Sequence, residues 1–483
     1  MKKRLLALAV FTGLIGVWQT GAFATNGDNL IGITPNSEAM GGIGVGMPVG
    51  SVDSIFRNPA WMNVARSNKF QFGGIIFMPS VKAESNNAFT QYNGPNANPT
   101  PGSASVDSNA NLFLVPEVGI VDKINDKLVF GIGAFGVSGL GVDYNGKGPQ
   151  QVIGIVPNPS PPPPFTQVTA PAFYNMRTTL QFLRIIPALS YQINPMISVG
   201  AGIDFAYGSL DINATLPNGC QLIGQYPNAY FNCTRTASYG GGQSTALGIG
   251  GQLGVAFNFG NFVYAGLSYQ TPISLTYRHV FDFIGASKGN FGNEGFQDFK
   301  LEQPQELAFG VGIAPTDKWN VGADVRWINW SNANGYKDFG WKDQYVFALG
   351  TSYKVTPKLT LRAGFNYARS PIRSNNFGYS NSTTTAASIS GANFNQYQVD
   401  FFNLYGFPAI TEEAITLGGS YQFTNTFGVS LAYEHDFQHS VTDSGQCYNG
   451  SGPVFGDPAA YSPCSIGAKN AEDAINVALE WRF

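Results

Sequence analysis

The chain has 483 residues, of which only 12% are charged, about half the share of an ordinary soluble globular protein. Its 43% apolar content excludes a disordered chain, and no window after the N-terminus approaches the ~20 consecutive apolar residues of a membrane helix. A net charge of −3 argues against a nucleic-acid partner, while 59 glycines, 14% aromatic residues and short apolar segments fit an all-β transmembrane barrel.

At the start of the chain, Lys2, Lys3 and Arg4 precede an apolar run from Leu5 to Trp18. Ala22-Phe23-Ala24 then has the small-x-small form of a cleavage site, so residues 1–24 read as a secretory signal peptide. Export places the mature chain, starting at Thr25, where disulfides can form. The four cysteines lie as two close pairs, Cys220 with Cys233 and Cys447 with Cys464. Three pairings are formally possible, and local closure within each loop-like segment is the expected one. With three histidines, none beside these cysteines, zinc has little support. No metal or cofactor is expected.

Residues 25–66 contain Gly41-Gly42-Ile43-Gly44-Val45-Gly46 and Arg57-Asn58-Pro59-Ala60, but no long alternating strand. Such a segment is either a periplasmic tail or a plug folded back into the lumen. Leu30, Ile31, Met40, Ile43, Val45, Trp61 and Met62 favour burial. The glycine run lacks the lysine and spacing of a phosphate loop, so close backbone packing is the better reading.

Residues 67–483 read as a series of hairpins. In the third strand, Lys127-Leu128-Val129-Phe130 leads into Gly131, Gly133, Gly136, Gly139 and Gly141. The glycine spacing changes from two to three at Gly136, which predicts a bulge or bend there. Period-two alternation runs through Ile197–Tyr207, Leu247–Phe257, Trp319–Trp327, Leu359–Ala368 and Phe427–Glu434. The last strand shows it most clearly, with Ile475, Val477, Leu479, Trp481 and Phe483 on one face and Ala474, Asn476, Ala478, Glu480 and Arg482 on the other. Short turns at 122–126, 194–195, 259–261, 314–317, 355–358 and 424–426 alternate with seven long polar loops. Six turns and seven loops join fourteen strands, the plan of an outer-membrane barrel with short periplasmic turns and long outer loops.

Several of these stretches resemble the FadL family of outer-membrane transporters for long-chain fatty acids and aromatic hydrocarbons. Asn58-Pro59-Ala60 after a Gly-rich mature N-terminus is similar to the family's hatch motif. Trp319–Gly322 through Asn329-Trp330-Ser331 resembles its middle strands, Tyr345–Tyr353 and Leu359–Pro371 the following hairpin, and Phe483 the barrel-assembly signal. The resemblance implies a fourteen-stranded barrel with an N-terminal hatch in the lumen, in the outer membrane of a Gram-negative bacterium. It also implies capture of a hydrophobic ligand on outer loops, passage through a lumen site and lateral exit at strand three. Outer-membrane lipid, lipopolysaccharide and the barrel-assembly machinery are the expected partners besides the ligand.

Candidate residues follow from this plan. Leu222, Ile223, Tyr226, Tyr230 and Phe231 on the third outer loop, with Val280, Phe281, Phe283, Ile284 and Phe291 on the fourth, would form a capture groove or pack together as a loop core. Gly133, Gly136 and Gly139 mark the lateral gate. Arg184 and Arg326 are expected to be neutralised by Asp204 and Glu306 directly opposite them in their hairpins. Arg362, whose hairpin partner is expected to be Gly350 or a neighbour, lacks such a carboxylate and is the candidate contact for a ligand carboxylate. Two other function classes fit the sequence less well. A general porin needs neither an apolar N-terminal segment nor apolar outer loops. An outer-membrane hydrolase would use His435 and His439, placed on one strand face beside Glu434, Asp436, Ser440 and Asp443, but no nucleophile motif accompanies them.

Overall fold

The structure is a computed structural model, described over residues 26–65, 67–91, 100–157, 165–223, 230–238, 240–282, 296–448 and 461–483. The expected signal peptide, residues 1–24, falls outside these residues. Fourteen antiparallel strands form the ring: β1 (Lys69–Gln91), β2 (Phe113–Lys123), β3 (Leu128–Asp143), β4 (Arg177–Gln192), β5 (Ile197–Asn213), β6 (Ser244–Phe259), β7 (Val263–Gln270), β8 (Glu306–Thr316), β9 (Trp319–Ile328), β10 (Gln344–Lys354), β11 (Leu359–Ala368), β12 (Glu413–Gln422), β13 (Phe427–Tyr448) and β14 (Tyr461–Arg482). Each pairs with its sequence neighbour, and β14 returns to β1 from Lys69 opposite Arg482 to Asn86 opposite Ser465. Closure leaves no edge, as a bilayer-spanning sheet requires.

The predicted alternation sets the two faces. On β6, Leu247, Ile249 and Leu253 are exposed outward while Gln252 between them is buried. Near the turns, Phe70, Trp481, Phe427 and Phe423 stack in series with ring centroids 5.3–5.9 Å apart, an interfacial aromatic belt.

Hairpin centres differ by a residue from the sequence expectation. Asn194 accepts from the amides of Met196 (2.8 Å) and Ile197 (2.9 Å), and this turn centres the β4–β5 hairpin on Pro195. Arg184 therefore faces Ala206 rather than Asp204. Glu306 likewise faces Ile328 rather than Arg326, and Arg362 faces Ser352 rather than Gly350.

Residues 26–65 are buried against the inward faces of strands around the ring, with two short helices, α1 (Pro35–Glu38) and α2 (Asp53–Arg57), and a 3-10 turn at Pro59–Val64. Glycines make the room. A Cβ on Gly41 would sit 2.6 Å from the Phe365 carbonyl oxygen, and Gly46 meets the Gly310 backbone with no space for one.

Candidate functional site

The interior of the ring brings four groups of residues together. The first seats the N-terminal segment. Asn58 Nδ2 donates to the carbonyls of Val45 (3.0 Å), Val255 (3.2 Å) and Leu267 (3.3 Å), while its Oδ1 accepts from the Ala60 amide at 3.1 Å. Pro59 starts the 3-10 turn, and the Ala60 carbonyl accepts from Ser190 Oγ at 2.9 Å. On the other side, Gly41, Gly42 and Gly44 take positive φ values. The amides of Gly44, Val45 and Gly46 then converge on the carboxylate of Asp324 at 2.7, 2.8 and 2.9 Å. The glycine run thus does form an anion nest, but for a carboxylate of the barrel itself. Asp324 was not singled out from the sequence; its only mark was an acid on the inward face of β9.

The second group is the seam between β2 and β3. Their pairing ends at Glu117 opposite Phe135. The register of β3 against β4 shifts between Gly136 and Ser138, so Val137 is an extra residue where the glycine spacing changes. Above that point the freed backbone of β3 is taken up by the N-terminal segment: Leu30 N–H donates to the Val137 carbonyl (3.1 Å) and Gly139 N–H to the Asp28 carbonyl (3.0 Å). The Asp28 carboxyl accepts from Tyr336 and, at 3.0 Å, from Gln303, whose amide also reaches Ser138 at 3.1 Å. Burial pushes the Asp28 carboxyl up to about 6 against the opposing effect of these hydrogen bonds.

Arginines form the third group. Arg326 reaches Glu306 at 3.3 Å, and Arg57 approaches the same carboxylate at 3.9 Å. Arg184 donates to Gln270 at 2.6 Å and stands 4.0 Å from Asp204. The Phe56 ring lies between the guanidiniums of Arg57 and Arg184, 5.1 and 5.6 Å away. The two expected ion pairs exist as diagonal rather than directly opposed neighbours. Donors remain: Nε of Arg57, Arg184 and Arg326, and Nη2 of Arg326, are buried without a partner. Arg362 lies apart on β11, donating from Nη1 to Ser420 Oγ at 2.8 Å, with its Nε also buried without a partner.

The fourth group caps the interior. Trp330, Tyr336 and Trp341 pack with centroids 4.6–5.2 Å apart, and Gly27 lies flat against the Trp330 ring with no room for a Cβ beyond 2.6 Å. The layer continues through Phe339, Phe402 and Phe394. These residues come from the fifth and sixth outer loops, which the sequence reading passed over although their aromatic density was visible. On the fourth loop, Val280 and Phe281 are buried, with Phe281 5.8 Å from Phe299 as part of the loop core. Tyr226, Phe283, Ile284 and Phe291, and the side chains of Leu222, Ile223, Tyr230 and Phe231, lie outside the described residues.

Cys447 and Cys464 form a disulfide across β13 and β14. Cys220 and Cys233 are register partners in the third loop's ribbon, their side chains outside the described set. The histidines do not share a face. A bulge between Asp436 and His439 turns His435 outward to Asp473 (2.9 Å) and His439 toward Glu412 (3.7 Å), so the hydrolase constellation is not assembled.

The family model for outer membrane protein transport proteins (OMPP1/FadL/TodX) matches residues 16–154 and 165–380. A long-chain fatty acid transport protein of Escherichia coli O6:H1 is 24% identical over 402 residues, covering 76% of this chain and 81% of that protein. Outer membrane protein P1 of Haemophilus influenzae is 24% identical over 349 residues, covering 65% of this chain and 71% of its own. Among solved structures, a Pseudomonas aeruginosa FadL homologue superposes with a TM-score of 0.63 at 16% identity, over 95% of this chain and all of the other. The Pseudomonas putida toluene transporter TodX gives 0.60 at 19%, with the same coverage.

Proposed function

Because the chain belongs to the OMPP1/FadL/TodX family of outer-membrane transport proteins, we propose that it takes up hydrophobic small molecules passively and releases them sideways into the bilayer at β3. Residues 25–66 act as the plug and Asn58-Pro59-Ala60 as its hinge-side anchor. The observation that carries this reading is the β2–β3 seam, where ladder pairing stops at Phe135 and residues 28–30 occupy the opened backbone. An unpaired backbone group facing lipid is costly, so such a break is tolerated only while something satisfies it. A greasy ligand benefits from the sideways route, because leaving for water would forfeit about 25 cal/mol per Å² of apolar surface.

Relatives named for long-chain fatty acids and for toluene bracket the ligand. The spare guanidinium donors beside Phe56 and Phe182 favour a ligand with an apolar body and a carboxylate end, a fatty acid. Arg362, nearer the turns, is proposed as a later contact on the same path. The outer loops make the capture surface, with lipopolysaccharide around them, and Phe483 serves recognition by the assembly machinery. An interior occupied by a folded segment disfavours a general porin.

The test ties β3 to β2 with engineered cysteines flanking Gly136. Uptake of a labelled fatty acid should be lost in the oxidised protein and return with reductant. Undiminished uptake by the fully cross-linked barrel rules out the lateral route.

A further inference from the structure

The wall formed by β12, β13 and β14 is short of hydrogens. Glu434 and Asp436 on β13 and Glu472 on β14 all face inward and are buried. Asp436 and Glu472 are directly opposed in register, and Glu434 lies two residues before Asp436 on the same inward face of β13. Like charges directly opposed across a strand pair are destabilising, and a proton on one of two facing carboxyl groups removes that repulsion. Glu38, the last residue of α1, approaches from the N-terminal segment and accepts from Asn476 Nδ2 at 2.7 Å. Among the described residues none of these four acids makes an ion pair. Farther along the same wall the contrast is plain, because Glu480 is paired with Lys69 at 3.0 Å.

The orphan atoms point the same way. Glu38 Oε1, Asp436 Oδ2, Asn470 Oδ1 and Asn476 Oδ1 are buried without a partner, and every one is an acceptor. The two amides are aimed into the cluster, since Asn476 donates to Glu38 and Asn470 to Glu472. A protonated carboxyl is the kind of donor such oxygens accept from. A metal ion is a poorer fit, because no group of three acidic, histidine or cysteine side chains among the described residues is arranged to hold one.

The remaining neighbours add no positive charge. From β12 the cluster meets Thr416, and from the preceding loop Thr411, which reaches Glu472 at 3.5 Å. Glu412 beside it is engaged with Arg373 (3.9 Å) and His439 (3.7 Å). Asp473 points outward to His435. Within the ring, Glu117 bonds Gln71, Asp53 caps the Ser37 amide, and Arg362 donates to Ser420. Burial first, and the facing Glu434 second, push the Glu38 carboxyl well above its ordinary range.

We propose that Glu38, Glu434, Asp436 and Glu472 form a shared-proton latch that seats α1 on the β12–β14 wall, and that losing those protons drives Glu38 off the wall and loosens the N-terminal segment. This rests on residues 25–66 being the plug, and adds a pH-operated control to it. Seating is complete while the cluster holds its protons and fails as rising pH removes them. Replacing Glu38 by Gln keeps an amide in place of the protonated acid and removes the charge.

The experiment is ion conductance of the purified full-length protein in planar bilayers, with EDTA present, between about pH 5 and pH 10. The wild type should stay closed at the acidic end and rise by about tenfold or more at the alkaline end, in keeping with loss of protons shared by coupled buried carboxyls. E38Q should stay closed throughout, and E434Q, which serves if E38Q does not assemble, should show a smaller rise at higher pH. A flat wild-type profile, an unchanged rise in both variants, or opening by EDTA at pH 6 overturns the latch, the last by assigning the site to a metal. A rise abolished by D28N but not by E38Q also overturns it. The barrel lacking residues 25–66, run at pH 6, separates the two ideas: if it stays closed the plug reading fails, and if it conducts while the wild type shows no alkaline rise only the latch fails.

Discussion

The β13–β14 seam and the β2–β3 seam are made of the same alternating pattern but end differently. β13 and β14 stay paired from Phe427 opposite Trp481 to Tyr448 opposite Tyr461, and a disulfide crosses them near the top. β2 and β3 separate after Glu117 opposite Phe135, and the backbone beyond is handed to residues 28–30. A barrel seam in lipid must have its polar backbone satisfied, but the partner need not be a strand of the ring. One seam is closed by strands of the ring and a disulfide, whereas the other is closed in part by the N-terminal segment.

Removing that segment should have the largest effect. Without residues 25–66, the barrel should still assemble, migrate as a heat-modifiable band and conduct ions freely in planar bilayers. A closed truncated barrel would mean that the segment does not fill the lumen. Next in size is D324A. It removes three charge-assisted hydrogen bonds, about 1.5–3 kcal/mol each in typical cases, from the amides of Gly44, Val45 and Gly46. Frequent open events in single-channel records, with the heat-modifiable band intact, are expected.

A smaller effect should come from Asp28 itself. Its carboxyl is raised from 3.8 to about 6 by burial, so the seated state binds the proton more tightly than the released one. The seating of residues 28–30 on β3 is therefore strongest below about pH 4 and weakens as pH rises through about 6. Amide exchange at Gly139 and Leu30, corrected for the intrinsic rate, should accelerate across that window in the wild type and not in D28N. The smallest effect belongs to the sealed seam. C447S/C464S should lower the temperature of heat modification, by an amount corresponding to about 3 kcal/mol at most on the loop-entropy estimate, while conductance and uptake stay unchanged. A conductance change would show that the β13–β14 seam also moves.

Much of this molecule was legible from its strands one at a time. Leu359–Ala368 and Ala474–Phe483 announce their two faces because a half-wet strand must alternate, and the glycine spacing around Gly136 announces a bulge because a missing Cβ weakens local pairing. The site was less legible. Arg362 stood out because its hairpin supplied no carboxylate, and its Nε is a spare buried donor, but Arg57, Arg184 and Arg326 have spare donors too, and their neighbours come from β7, β8 and the N-terminal segment. The apolar capture groove or loop core expected on the third and fourth outer loops falls largely outside the described residues. Trp330, Tyr336, Trp341 and Phe402 of the fifth and sixth loops form an aromatic layer that the sequence reading did not anticipate.

By itself the sequence determined the class of fold, the number of strands, the side on which the long loops lie and the place where the third strand breaks. Each of these depends on residues close together in the chain, through pleat, turn chemistry and glycine spacing. Tertiary structure alone decided that Asp324 receives the glycine run, that Asp28 bonds Tyr336 across 308 positions, and that Glu38 is bonded by Asn476 from the far end of the chain. A one-residue shift in a turn exchanges one cross-strand neighbour for another, and closing the ring brings the first residues against the last. Local pattern carries no record of either.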